Sequence, residues 1–240
     1  MAVIERNLHH IDTMSSHYYR PVLLRFHALF HRASGYTLRT VEMSRLDFRF
    51  NPQKFVQSLV FFSKSGITDL TKMKIHKLLF FADKLHLIRY GRPIIGDEYF
   101  ALDHGPLPTS ADDDLDTAED LAIGVDDAAV RTHFGGYLTL KSTGEWPVIA
   151  AVGPENYGVF SRSELKVLSE VVERFGRMSA SKLRKLSHED PAYVLADKNR
   201  PQGKRAPMPY ESFFEGETDK AMLEVASVEQ EDRDFAAIVG

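Results

Sequence analysis

Apolar residues at helical spacing predict a first helix that begins at Asn51-Pro52. Asparagine is a common N-cap, and proline is well tolerated at the first helical position, so this dipeptide indicates a helix start. Gly66 is expected to end the helix, because glycine readily adopts the left-handed conformation that closes many helices. The apolar face of this helix comprises Phe55, Val56, Leu59, Val60 and Phe62.

A second, longer amphipathic pattern begins near Asp69 or Thr71 and runs to about Tyr90. Its apolar side chains recur three and four residues apart, as they do on one face of a helix. The corner at residues 91–93, Gly-Arg-Pro, is expected to stop this helix. The apolar stripe comprises Ile75, Leu78, Leu79, Ala82, Leu85 and Ile88, and Phe81 widens it.

Two β patterns lie beyond the second helix. Residues 99–102 suggest a short strand, which is closed by Gly105-Pro106. Glycine there permits a backbone angle or a close approach that a side chain would block, and proline fixes the turn. The second pattern begins at Tyr137, turns at residues 142–145 and continues to Val152.

Capping signals predict further helices in the later part of the chain. Ser161 with Glu164 is a capping box, and its helix is expected to end near Gly176. Ser179 caps a shorter helix that is expected to run through Leu186. Together the patterns predict a mainly α (α+β) fold, in which a helical domain carries a small antiparallel β element.

The composition changes along the chain and suggests three parts. Residues 1–48 hold arginine but no lysine and five of the ten histidines, and we interpret them as a weakly ordered extension or an appended helix. The alternative is a basic arm that contacts a partner or a nucleic acid. Residues 49–215 form the predicted domain, and residues 216–240 form an acidic C-terminal tail.

Composition also argues against nucleic-acid-binding, membrane-spanning and secreted proteins. The chain has 240 residues, of which 43% are hydrophobic, and a formal net charge of -4, so nucleic acid and anionic membranes are not expected as main partners. Cysteine is absent, which fits a reducing compartment. No run reaches the roughly 18 to 20 apolar residues that span a bilayer, and no secretory signal is evident. We therefore expect a cytoplasmic protein.

The second helix carries polar and aromatic residues that suit a protein-contact surface. Lys77 and Lys84 are two helical turns apart with Phe80 between them, and Asp83 and His86 line an adjacent strip. Aromatic anchors with charged flanks are typical of protein interfaces. Alternatively, these side chains are buried and anchor the helix to the β segment. A metal site would need ligands from elsewhere in the chain, and neither a metal nor a cofactor is expected.

An acidic run extends from residue 112 to residue 127, with eight acidic residues and no basic one. A calcium loop is not expected, because Thr117 stands where such a loop needs glycine and Ile123 where it needs glutamate. A solvated acidic helix face or loop is one interpretation, and docking of a basic partner is the other. The candidates for that contact are Asp112, Asp113 and Asp116.

No catalytic centre is expected. Histidine lies near a carboxylate at residues 103–104 and near a serine and carboxylates at residues 187–190, but no serine occurs in a Gly-x-Ser-x-Gly turn. No nucleophile has an identifiable activating environment. The basic loop at residues 198–209 lacks interleaved aromatic residues, so it is weak evidence for nucleic-acid binding.

Three segments, in this order, resemble the Panacea domain, also called the SocA-like antitoxin domain. They are residues 71–83 with their Lys-Leu-Leu-Phe-Phe core, residues 105–107 with Gly-Pro-Leu, and residues 179–191. The resemblance covers about residues 67–210 and implies that Gly105, Pro106, His188 and Pro191 are structural motif residues. The sequence departs from the family pattern at Phe80, where tyrosine is usual, and at His76, where glutamine is common.

The resemblance implies an antitoxin of a phage-associated toxin–antitoxin system. Members of the family neutralise a co-encoded toxin by direct binding and are not enzymes, and one member also delivers its toxin to a cytoplasmic protease. The alternative is therefore a proteolytic adaptor or regulatory scaffold whose partner is a protease or unfoldase. A metal-dependent hydrolase is the third and most distant function.

Overall fold

The computed structural model describes residues 46–123, 127–142, 146–198, 200–215, 219, 222–230 and 236. All of these residues belong to one compact unit, Ser44–Gly240. Residues 1–45, which make up most of the predicted extension, lie outside the described residues. The same is true of most of the turn predicted at residues 142–145.

Helices dominate the described residues. The bounds are α1 Pro52–Lys64, α2 Lys72–Tyr90, α3 Thr109–Ala122, α4 Asp127–His133, α5 Arg162–Phe175, α6 Ala180–His188 and α7 Pro191–Lys198. Short 3-10 turns occur at Tyr157–Val159 and Tyr210–Phe213, and residues 222–230 are helical as well. Within the described part of the chain, no helix has the length and apolar character needed to cross a membrane.

Local capping explains where the main helices begin and end. Asn51 Oδ1 accepts a hydrogen bond at 2.9 Å from the backbone N–H three residues later, so α1 starts at the predicted N-cap. Helix α2 follows Thr71 and ends at Gly91, whose φ of 73° is left-handed. Ser161 and Glu164 form both hydrogen bonds of the predicted capping box of α5.

Short strands form two antiparallel sheets in the described residues. The strands are β1 Tyr99–Leu102, β2 Gly105–Pro108, β3 Leu138–Ser142, β4 Pro147–Ala151 and β5 Ala206–Met208. One sheet has the order β2-β1-β5, and β3 pairs with β4 in the other. Tyr99 lies opposite Pro108 on one side and Met208 on the other. The predicted mainly α fold with a small antiparallel β element is thus confirmed.

Two of these strands, β2 and β5, were not predicted from the sequence. Pro106, Pro108 and Pro207 lie within them, and proline argues against a strand because it has no N–H to donate. Both strands lie at the edges of the three-stranded sheet. An edge strand tolerates proline when the missing N–H would have faced away from the neighbouring strand.

Helix α2 lies at the centre of the fold and contributes to two apolar clusters. Ile75, Leu78 and Leu79 belong to the larger cluster, which is built with α1, α3, α5 and the β3–β4 hairpin. Phe80 and Leu87 belong to the smaller cluster, which contains residues of β1 and β5. Because both clusters draw on α2, apolar packing covers more than one side of this helix.

The smaller cluster also includes residues from both ends of the described chain. Leu46 is buried in it, and the ring of Phe48 lies edge-on to that of Tyr210 with centroids 5.0 Å apart. Ala226, in the helical residues 222–230, is fully buried in the same cluster. The domain boundaries predicted at residues 48 and 215 stay predictions.

Candidate functional site

Helix α2 carries a row of polar side chains into the interior. Six of these side chains are fully or almost fully buried, namely Lys74, His76, Lys77, Asp83, Lys84 and His86. The structure corrects the prediction of an exposed contact surface, since Lys77, Phe80, Asp83, Lys84 and His86 are all buried. The physical reason is that neighbouring elements surround α2. The alternative interpretation, in which these residues anchor the helix to its neighbours, agrees with the hydrogen bonds that they make.

Lys77 anchors α2 to strand β2. Its Nζ donates a hydrogen bond to the carbonyl oxygen of Pro106 at 2.7 Å. Gly105 makes this approach possible, because its φ is +94° and a Cβ atom there would lie 2.7 Å from Ser187 Oγ and 3.1 Å from Lys77 Nζ. Burial, together with nearby Arg184, lowers the pKa of Lys77 to about 7. Gly105 and Pro106, predicted as motif residues, therefore lie where Lys77 fastens α2 to β2.

Asp83 accepts hydrogen bonds from the turn that follows α2 and from the first residue of strand β1. One oxygen, Oδ1, accepts hydrogen bonds from the N–H groups of Ile94 and Ile95 at 2.8 and 2.9 Å. The other, Oδ2, accepts a hydrogen bond from the hydroxyl of Tyr99 at 3.1 Å. Burial outweighs these three hydrogen bonds and raises the pKa of Asp83 to about 7.

Lys84 joins three distant parts of the chain. Its Nζ donates hydrogen bonds to Asp190 Oδ2 at 2.7 Å and to Glu215 Oε1 at 2.6 Å. Asp190 in turn accepts a hydrogen bond from the N–H of Ala192, at the start of α7. Pro191, predicted as a motif residue, is exposed and is the first residue of that helix, where proline is favoured.

His86 connects the end of α2 to the start of α5. Its Nδ1 lies 2.6 Å from the carbonyl oxygen of Arg92, which can only accept, so Nδ1 carries the proton. Its Nε2 therefore accepts a hydrogen bond from the hydroxyl of Ser163 at 3.0 Å. Burial lowers the pKa of His86, which favours this neutral form.

His188 lies beside the Lys77 anchor. Its ring stacks on that of Tyr193 with centroids 4.6 Å apart, and Tyr193 donates a hydrogen bond to the carbonyl of Leu102 at 2.8 Å. The buried Nε2 of His188 has no hydrogen-bond partner among the described residues. The family resemblance is what marks His188 as a motif residue in the sequence. Tyr193 and Arg184 could not be singled out in the same way, because no local pattern distinguishes them from ordinary helix residues.

The first part of the acidic run, up to residue 122, lies in helix α3, and carboxylates of this helix divide into two groups. Asp112 is half-buried, with Oδ1 at 2.7 Å from Lys72 Nζ and 3.2 Å from His76 Nε2. Although burial acts in the opposite direction, hydrogen bonds from these two side chains hold the pKa of Asp112 below its ordinary value. Asp112 therefore fastens α3 to α2.

The second group of carboxylates on α3 faces solvent. Asp113, Asp116 and Asp120 are exposed. Asp116 pairs with Lys72, while Asp113 and Asp120 have no ion-pair partner among the described residues. Of these three, Asp120 lies in the last turn of α3, at the negative end of the helix dipole, and that turn contains no basic residue. Helix stability therefore does not explain the position of Asp120.

The buried polar side chains of α2 make anchoring contacts to neighbouring elements. No three histidine, aspartate or glutamate side chains in them come together as a metal site requires. Lys77 has a pKa near neutrality but is 1% exposed, so no substrate reaches its amine in this structure. On α3, in contrast, Asp113, Asp116 and Asp120 are exposed, and we call these three carboxylates the acidic face of α3.

The chain matches a known protein family. Residues 75–193, from α2 to α7, match the model of the family described as "Antitoxin SocA-like, Panacea domain". No curated protein and no solved structure matches the chain significantly.

Proposed function

Because the chain belongs, through residues 75–193, to the family of SocA-like antitoxins with a Panacea domain, we propose that it is the antitoxin of a toxin–antitoxin system. In this proposal it neutralises a co-encoded toxin by direct protein–protein binding. The observation that carries the proposal is the family match, which covers the anchored core from α2 to α7.

The acidic face of α3 is the surface that we assign to the toxin. Asp113, Asp116 and Asp120 project from one helix that Asp112 fastens to the centre of the fold. A rigid helix that presents several carboxylates suits a partner with a basic surface, because complementary charge accelerates association and excludes partners of like charge. Of the side chains predicted for partner contact, Asp113 and Asp116 keep that assignment.

A growth experiment tests the proposed function. The open reading frame next to the gene is expressed alone and together with this protein, and complex formation is measured by co-purification. We expect toxicity from the neighbour alone, rescue on co-expression, and a complex that co-purifies. A harmless neighbour that forms no complex would contradict the proposal.

The same experiment separates neutralisation by binding from delivery to a protease. If binding is sufficient, rescue persists in cells that lack their cytoplasmic unfoldase, and the amount of toxin does not fall. Rescue that disappears in those cells, with toxin accumulating, would support the adaptor alternative instead.

A further inference from the structure

A pocket lies where strand β1 begins and strand β5 ends, two points that the strand register places opposite each other. Its lining comes from three separate stretches of the chain, which are residues 46–48, 98–100 and 207–210. Its volume is about 50 Å³. A single buried water needs roughly 10 to 15 Å³, so the pocket accommodates the end group of a side chain and not a whole small-molecule ligand.

Aromatic rings form one part of the pocket lining. Tyr99 and Tyr210 are almost fully buried, whereas Phe48 and Phe100 are half-buried. Met208 and the prolines on either side of it complete the apolar part. The face of an aromatic ring carries partial negative charge and attracts cations, so these rings favour a positively charged group.

The charged part of the lining is acidic. Asp47 and Glu98 line the pocket and are exposed, and no described lysine, arginine or histidine does so. Neither carboxylate forms a salt bridge with a described residue. Burial and then four nearby carboxylates, Asp47 and Glu98 among them, raise the pKa of Tyr210 well above its ordinary value. The potential in the pocket is therefore negative.

One of the lining rings already stacks with a guanidinium group of the chain itself. The Cζ atom of Arg205 lies 4.4 Å from the centroid of the Phe100 ring, within the roughly 6 Å over which cation–π attraction operates. Arg205 is exposed and does not line the pocket, so the two carboxylates are left for another cation. A planar guanidinium both stacks on rings and pairs with carboxylates, whereas an ammonium is a compact, strongly hydrated charge.

We propose that this pocket receives an arginine side chain of a protein partner. The guanidinium group would lie against the rings of Phe48 and Phe100 and pair with Asp47 or Glu98. Because the volume fits only an end group, the aliphatic stem of the arginine would lead out of the pocket to the backbone of the partner.

The position of the pocket favours a partner with a basic surface. The carbonyl oxygen of Glu98 accepts a hydrogen bond at 3.0 Å from the N–H of Thr109, the first residue of α3. Asp113, in the acidic face, is four residues further along this helix, which is about 6 Å along its axis. That the partner is the toxin rests on the function proposed above, whereas the preference of the pocket for arginine does not.

An NMR titration of the full chain with short peptides tests the proposal. The probe is the end-blocked peptide Gly-Ser-Arg-Ser-Gly, and the matched probe carries citrulline, which has the shape of arginine without its charge. We expect the arginine peptide to shift the aromatic signals of Phe48, Phe100 and Tyr210 with a millimolar Kd. The citrulline peptide should bind at least about tenfold more weakly, because it makes neither a cation–π contact nor an ion pair.

Removing the two carboxylates should weaken the same titration. The variant Asp47→Asn with Glu98→Gln keeps the size of both side chains and removes their charge, so we expect the arginine peptide to bind at least about threefold more weakly. The control is Glu173→Gln with Glu224→Gln, which removes two exposed carboxylates outside the pocket lining. The control should bind the peptide within about 1.5-fold of the parent.

The other outcomes would overturn the proposal. They are signals that do not shift with the arginine peptide, equal shifts with the citrulline peptide, and equal losses in the variant and its control. A matching lysine peptide that binds as tightly would overturn the assignment to a guanidinium group. Because the titration contains no toxin, its failure and a failure of the growth rescue are separate results.

Discussion

Asp83 and Lys77, six residues apart on α2, have pKa values that burial shifts towards each other, to about 7 in both cases. Between about pH 4 and pH 7, the folded protein keeps a proton on Asp83 that the unfolded chain has lost, so this residue makes stability fall as the pH rises. Above about pH 7, the unfolded chain keeps a proton on Lys77 that the folded protein has lost, so stability rises again.

Replacing Asp83 by asparagine should remove the acidic part of this pH dependence. In Asp83→Asn the amide oxygen can still accept from Ile94 and Ile95, and the amide nitrogen can donate to the Tyr99 hydroxyl, while no group ionises. Urea unfolding should show a free energy that falls less steeply between about pH 4 and pH 7 than that of the parent. A slope equal to that of the parent would show that another group is responsible.

Asp83→Ala is the control for the hydrogen bonds themselves. It leaves two buried N–H groups and one hydroxyl without an acceptor, so we expect a loss of about 2 to 5 kcal/mol in the free energy of unfolding. The contrast between the two variants separates the charge of Asp83 from its hydrogen bonding.

Gly105 should not tolerate a side chain. In Gly105→Ala the new methyl group would press on Ser187 Oγ and on the Lys77 anchor, in a backbone conformation that already disfavours alanine. We expect a loss of about 2 to 4 kcal/mol in thermal or chemical unfolding. The matched control is Gly203→Ala, because Gly203 has a φ of +67° but open space around it, and about 1 to 2 kcal/mol is expected there.

At the scale of elements, the charge of α3 can be reversed without loss of the helix. The substitution Asp120→Lys places a positive charge in the last turn of α3, which the helix dipole favours, and Asp113→Lys lies beyond the first turn, where the dipole has little effect. Together they should not lower the melting temperature. If α3 binds the toxin, the affinity should fall at least about tenfold in isothermal titration.

The control for α3 is Glu173→Lys with Glu224→Lys, two exposed carboxylates outside that helix. It makes the same change in net charge, so it should leave the affinity for the toxin within about twofold of that of the parent. Similar losses in both variants would indicate an effect of total charge and would remove α3 as the interface.

At the scale of the whole molecule, residues beyond 215 contribute to the core. Ala226 is fully buried and lies near Gly91, and Ser227 and Gln230 are buried as well. A chain that ends after Glu215 should therefore unfold at a lower denaturant concentration, with a loss of about 2 to 3 kcal/mol. A chain that ends after Gln230 retains these contacts and should unfold like the parent, and equal behaviour of the two shortened chains would contradict this role.

Much of the fold could be predicted from local chemistry. The N-cap at Asn51 and the capping box at Ser161 act within one helical turn, so the sequence alone shows them. Strand β2 could not be predicted because its two prolines argue against a strand, although its neighbour β1 is close in the sequence. Strand β5 could not be predicted because its neighbour β1 is about a hundred residues away.

The candidate site was harder to predict than the fold. Lys77 and Lys84 have the spacing of an exposed contact face, and the same spacing occurs in a helix that is covered on several sides. Their hydrogen-bond partners are far away in the sequence, so helical periodicity cannot identify them. These partners are Pro106, Asp190 and Glu215. The acidic residues of α3 could be identified from the sequence, because a run of eight like charges is recognisable without knowing which residues are in contact.

The sequence by itself determined the helix starts and stops, the mainly α class and the resemblance of residues 71–83, 105–107 and 179–191 to one family. These features depend on residues that are close in the chain, where capping, helical periodicity and turn chemistry operate. Only the tertiary structure decided which charges are buried and which are available to a partner. Burial depends on neighbours brought from distant segments, as when β2, α6 and residues up to 215 enclose α2 and leave the carboxylates of α3 in solvent.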